Sequence, residues 1–157
     1  MILKSYIVEQ QPELLSSYKS VLLYGENEGI KSDIKSKLKD SNKGSEIITF
    51  FESEMLKNKN ILYENIINES LFNEKKIIFI HTASDKIFYE ISESLIKINN
   101  NVKIYIFSDS LDKKSKLRAL FEKEKDLAIF PCYEDNKRTL INYINKELIE
   151  YKGITGE

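Results

Sequence analysis

The sequence predicts a three-layer α/β domain: a mostly parallel, five-stranded sheet with helices on both faces. The first observation is a set of short β-branched and aromatic runs. They are Val21 to Tyr24, Ile47 to Phe51, Ile77 to Ile80 and Val102 to Phe107, with a fifth, Leu127 to Phe130, just before Pro131. Each is short and almost continuously apolar, the pattern of a strand buried on both faces. The second is that segments of helical spacing alternate with them, which calls for crossover connections and hence parallel pairing. The third is length: 157 residues make one domain, which can bury about 70% of its unfolded surface without staples.

The elements follow in order. The first strand runs into Gly25 and Gly29, read as breakers, and then into a helix marked by Ile30, Ile34 and Leu38 at i, i+4, i+8. Gly44 precedes the second strand. A helix is expected over Ile61 to Phe72 with the stripe Leu62, Ile66, Ile67 and Leu71, followed by the polar Asn73-Glu74-Lys75-Lys76 and the third strand. Ile87, Phe88, Ile91, Leu95 and Ile98 mark one face of a longer helix that Asn99-Asn100-Asn101 closes. After the fourth strand, Leu117, Leu120 and Phe121 mark another. Beyond the fifth strand Leu140, Ile141, Ile144, Leu148 and Ile149 predict a helix from Glu134 to Tyr151. The division expected is an α/β domain over 1–133 and a linking helix over 134–157. The ending after Gly153 fits a piece of a longer protein.

Composition narrows the function. Twenty-four basic residues against 25 acidic ones give a net charge of -1, which argues against a polycationic nucleic-acid coat. A single cysteine, Cys132, and a single histidine, His81, exclude a disulfide framework and weigh against zinc clusters and Ser-His hydrolase chemistry. No apolar run approaches the ~20 residues of a membrane-spanning helix, and the start lacks the apolar stretch of a signal peptide. The expectation is a cytoplasmic protein that makes no membrane contact.

Gly25-Glu26-Asn27-Glu28-Gly29-Ile30-Lys31-Ser32 invites comparison with the phosphate loop G-x-x-x-x-G-K-[ST] between a strand and a helix. Gly25, Lys31 and Ser32 occupy the first, seventh and eighth positions. The sixth, where glycine lets backbone N–H groups curl around phosphate, is Ile30, and Gly29 sits one place too early. Glu26 and Glu28 place negative charge where a polyphosphate would lie. The third strand ends Ile80-His81-Thr82-Ala83 without the carboxylate that would hold magnesium, and Asp109 reads equally as a turn residue. Two readings stand: an ATPase using Lys31 and Ser32, or a loop that kept the shape and lost the chemistry.

Other residues carry plain readings. His81 is expected as a hydrogen-bonded strand-end residue and Cys132 as a buried, inert thiol. Lys113-Lys114-Ser115-Lys116-Leu117-Arg118 is a basic helix start, either a solvated face or a contact for DNA phosphate or another subunit. The tyrosines are scattered and form no base-stacking platform.

Taken together, the ordered pieces Leu22-Leu23-Tyr24-Gly25-Glu26, Phe50-Phe51-Glu52, Ser70-Leu71-Phe72, Asp112-Lys113-Lys114-Ser115-Lys116-Leu117 and Phe130-Pro131-Cys132-Tyr133 resemble the N-terminal domain of the delta subunit of the bacterial DNA polymerase III clamp loader. The resemblance covers essentially the whole chain. It implies an AAA+-like module with a degenerate phosphate loop (Gly25, Gly29, Lys31, Ser32), no cofactor and no ATP hydrolysis of its own. It would be a non-catalytic subunit of the polymerase holoenzyme in DNA replication. The partners implied are the sliding clamp (beta), and the delta prime and gamma/tau subunits through a helical lid and a collar that this chain lacks; any DNA contact would be indirect. Leu71 and Phe72 fall where that family's clamp-binding pair lies.

The same pair can be read from physics. At ~100° per residue Phe72 lies about 140° from Ile67 and about 120° from Ile66, so in a continuous helix it cannot share the core stripe. Two adjacent apolar side chains backed by charges form a knob that suits a partner's pocket. The alternative is that the pair caps the core where helix meets strand.

Overall fold

A computed structural model of the chain describes residues 1–4, 12–68, 75–133 and 149. Five strands, β1 (Ser20–Tyr24), β2 (Glu46–Phe51), β3 (Lys76–His81), β4 (Val102–Ser108) and β5 (Leu127–Pro131), form one sheet in the order β2-β3-β4-β1-β5. All four pairings are parallel. The described helices are α1 (Glu28–Ser41), α2 (Glu52–Lys57), α3 (Ile61–Ile67), α4 (Phe88–Lys97) and α5 (Lys116–Lys123), with 3-10 turns at Pro12–Ser17 and Asp85–Ile87. The helix expected from Glu134 to Tyr151 lies outside the described residues except at Ile149.

Strand alternation divides the interior into two cores. Leu22, Tyr24, Ile78, Ile80, Ile104, Ile106 and Ile129 face one side and pack on Met55, Leu62, Ile66, Ile91, Leu117 and Phe121 of α2 to α5. Val21, Leu23, Ile77, Phe79, Tyr105, Phe107 and Phe130 face the other and pack on Ile34 and Leu38 of α1, with Leu3 and Leu15. Handedness explains the unequal split. The β1-to-β2 crossover runs across the sheet in the opposite direction to the three that follow, so the right-handed rule puts α1, alone among the described helices, on its face. The crossovers diverge between β1 and β4, and the crevice at the C-terminal ends of those strands is where open α/β sheets place ligands.

One helix cannot cover five strands, and this corrects the expectation that every strand is buried on both faces. At the β2 edge, Ile48 and Phe50 face the core beneath α2 and α3, whereas Ile47, Thr49 and Phe51 on the α1 side are exposed. The opposite edge is paired: Leu3 donates to the Ile129 carbonyl at 2.8 Å and Ile129 to that of Met1 at 2.8 Å. Three further corrections are local. Gly29 is no loop breaker but the second residue of α1, because Asn27 caps the helix early. Ile67 does not belong to the buried stripe of α3; it is 50% exposed at the last helical residue, while Leu62 and Ile66 are buried. The Glu52–Lys57 helix buries only Met55, too little apolar signal to reveal it in the sequence.

Candidate functional site

The crevice between β1 and β4 is where the phosphate-loop residues meet. β1 ends at Tyr24, and Gly25 turns with φ of 128°. A Cβ there would lie 2.1 Å from the Cys132 carbonyl oxygen, so only glycine fits between β1 and the end of β5. Asn27 follows as the N-cap, its Oδ1 accepting from the Ile30 N–H at 3.1 Å and its Nδ2 donating to the Tyr133 carbonyl at 3.1 Å. The helix therefore begins at Glu28, and Glu28, Gly29 and Ile30, which a phosphate loop would hold as open coil, are helical.

Three more backbone donors of this segment are engaged within the protein. Gly25 N–H donates to the Asp109 carbonyl at 3.2 Å, Asn27 N–H to that of Cys132 at 3.0 Å, and Lys31 N–H to that of Asn27 at 3.3 Å. Lys31, the residue that in a phosphate loop reaches the phosphates, is only 5% exposed. Its Nζ donates to the Ser108 carbonyl at the end of β4 at 3.0 Å. Glu28 Oε1 stands 2.7 Å away and Asp109 Oδ1 3.8 Å. The ammonium is thus neutralised and satisfied by its own chain. Ser32 is exposed on α1, and the buried Ser108 hydroxyl has no hydrogen-bond partner among the described residues. Among those residues no three His, Cys, Asp or Glu side chains gather to hold a metal ion.

One turn along α1, Lys35 Nζ lies 2.6 Å from Nε2 of His81, the last residue of β3. Burial first, then the Lys35 and Lys39 ammonium charges, push the imidazole down to about 4, so it is neutral at pH 7 and accepts from Lys35. Its ring stacks on Phe107 (centroids 5.0 Å apart, planes at 14°) and borders Phe51 (5.4 Å). His81 is the hydrogen-bonded strand-end residue expected. Cys132 is buried, its thiol 3.7 Å from the Phe130 carbonyl.

The basic helix start is partly consumed internally. Arg118 Nε donates to Glu122 at 2.7 Å and an NH group to the Leu111 carbonyl at 2.9 Å, while its guanidinium lies over the Tyr24 ring at 5.0 Å. Asp85 caps the helix from another loop, accepting from the Ser115 hydroxyl and from the Lys116 and Leu117 N–H groups at 2.8 to 3.0 Å. An open cleft of about 410 Å³ lies between these loops, lined by Ser84, Lys86, Asp112 and Lys114 among others.

Of the loop residues the sequence singled out, Gly25 and Lys31 meet at this crevice, where Lys31 is joined by Ser108 and Asp109, while Gly29 and Ser32 lie on α1. Asn27 was missed at the level of sequence, although an Asn just before a helix is an N-cap signal; Lys35 with His81, and Asp85 with Ser115, meet only through the fold and carried no local sign. Leu71 and Phe72 lie outside the described residues.

The fold recurs in solved structures of distant sequence. A Bacillus subtilis DNA clamp loader delta protein (YqeN) matches with a TM-score of 0.66 at 11% identity, over 88% of this chain and 45% of that one. Domain III of the Thermotoga maritima replication initiation protein DnaA matches with a TM-score of 0.54 at 13% identity, over 98% and 69%. A chain of the Drosophila ORC structure bound to DNA matches with a TM-score of 0.55 at 11% identity, over 94% and 49%. The chain spans under half the length of that delta protein. No protein-family model and no curated protein matches the sequence. The three-layer α/β fold with a five-stranded parallel sheet, expected from the sequence, is the fold of the chain, and these identities speak to fold alone.

Proposed function

We propose that the chain is the clamp-engaging module of a replicative clamp-loader delta subunit, acting mechanically in DNA replication and hydrolysing no ATP. The observation that carries this reading is the phosphate loop that has closed on itself: Lys31 serves the Ser108 carbonyl, and the helix starts at Glu28. A module built this way keeps the rigid α/β body without the phosphate cradle. Its likeness to a DNA clamp loader delta protein and the ordered sequence pieces then favour a binding role. In this reading Leu71 and Phe72 bury apolar surface in a pocket of the sliding clamp, and the rigid sheet transmits the force that parts one clamp interface. Other loader subunits, through domains beyond this chain, would govern when the pair is uncovered, and residues 134–157 would lead towards them.

The test is to mix the chain with the sliding clamp of its own organism and measure the mass of the complex by size-exclusion chromatography with light scattering. A complex should form, and Leu71→Ala with Phe72→Ala should weaken it about 30-fold or more, the loss of one hot spot, while leaving thermal stability unchanged. No complex, or a double variant that loses stability in step with binding, would overturn the reading.

A further inference from the structure

The exposed α1-side face of β2 adjoins an unneutralised positive cluster, and the two together form a surface with a definite chemistry. Phe51, His81 and Phe107 make a row of three rings across adjacent strands at the C-terminal edge of the sheet. The inner ring is buried and the outermost, Phe51, is 46% exposed. Ile47 and Thr49 continue outward-facing along the same strand, so the strip is about 13 Å long at ~3.3 Å per residue. Beside it stand Lys35 and Lys39, one turn apart on α1. Lys35 hydrogen-bonds His81, but a neutral imidazole supplies no countercharge. Among the described residues neither lysine pairs with a carboxylate, and the nearby Glu28 is held by Lys31. The two ammonium groups therefore repel each other, an arrangement that an anion would relieve.

The geometry points to a single-stranded nucleic acid as the occupant of this surface, one base stacking on Phe51 and the adjacent phosphates lying against Lys35 and Lys39. Flat apolar surface next to uncompensated cations fits a partner that is aromatic and anionic at alternating points. An acidic peptide matches the charge alone, and a double helix keeps its bases stacked away from Phe51.

The test is fluorescence anisotropy of labelled oligo(dT) with the full chain across a salt series. Binding should weaken with salt with a log–log slope of about -1.4, two phosphates at ~0.7 each. Lys35→Gln with Lys39→Gln should flatten that slope. Phe51→Ala should weaken binding about 5- to 150-fold with the slope kept, the loss of one stacked base. Thr49→Glu, a surface change on the same strip that spares the fold, should also abolish binding. No binding at about 10⁻⁴ M protein in low salt, the weak end of non-specific association, would overturn the assignment. Full binding by the Phe51 and Thr49 variants would do the same, as would its loss in Lys113→Gln with Lys114→Gln, or equal affinity for polyglutamate.

Discussion

At Gly25 the chain passes with φ of 128° against the Cys132 carbonyl, and this approach joins the end of β1 to the end of β5. Gly25→Ala should cost about 3 kcal/mol or more in urea unfolding, because the added carbon meets backbone rather than a movable side chain. Gly29 is the opposite case. Within α1 its Cβ would meet only the Asn27 side chain at 3.4 Å, so Gly29→Ala should stabilise by about 0.5 kcal/mol through lower unfolded-chain entropy. A loss at Gly29 as large as at Gly25 would show that the helix does not begin where Asn27 caps it. His81, the only histidine, gives an unambiguous titration. Its imidazole signal should move with a midpoint near pH 4, well under the ordinary 6.5. Between those values the unfolded chain binds the proton that the folded one refuses, so stability should fall as the pH drops from 6.5 towards 4. A midpoint at or above 6.5 would mean that Lys35 and the surrounding rings do not enclose it.

At the scale of elements, α5 depends on a carboxylate from elsewhere. Asp85 ties the Ser115 hydroxyl and two N–H groups of the first turn. Burial raises its carboxyl, but those three bonds outweigh it and the net shift is downward from 3.8. Asp85→Ala should cost about 1 to 2 kcal/mol, and the difference from the parent chain should close as the pH falls below that value. A constant difference across pH would assign the loss to packing. The five strands and the four helices with three or more periodic apolar positions were legible because burial writes itself into local spacing. What was illegible depended on neighbours. Nothing in Ile47 to Phe51 says that this strand lies at an edge, and Ile67 fits the stripe of its helix until the helix ends there. Asn27, a cap inside an apparent phosphate loop, decided the site's character by starting the helix two residues before the position of the expected glycine.

At the largest scale, the strand order places one of the described helices on one face and four on the other, and aims the N-terminus of α1 at the crevice between β1 and β4. In a nucleotide-driven domain the lysine of that crevice would reach phosphate; here Lys31 turns onto the Ser108 carbonyl, with the exposed Glu28 and Asp109 carboxylates beside its ammonium. Its missing sixth-position glycine and its two glutamates were visible in the sequence, but the inward turn of Lys31 was not, since β4 lies far along the chain. The most direct measurement is thermal unfolding of the full chain with and without a large excess of MgATP. A ligand at about 100 times its dissociation constant stabilises by about 2.7 kcal/mol, a shift of roughly 5 °C or more at this size. A closed loop predicts superimposable curves. A rise in melting temperature that Lys31→Ala removes would contradict it.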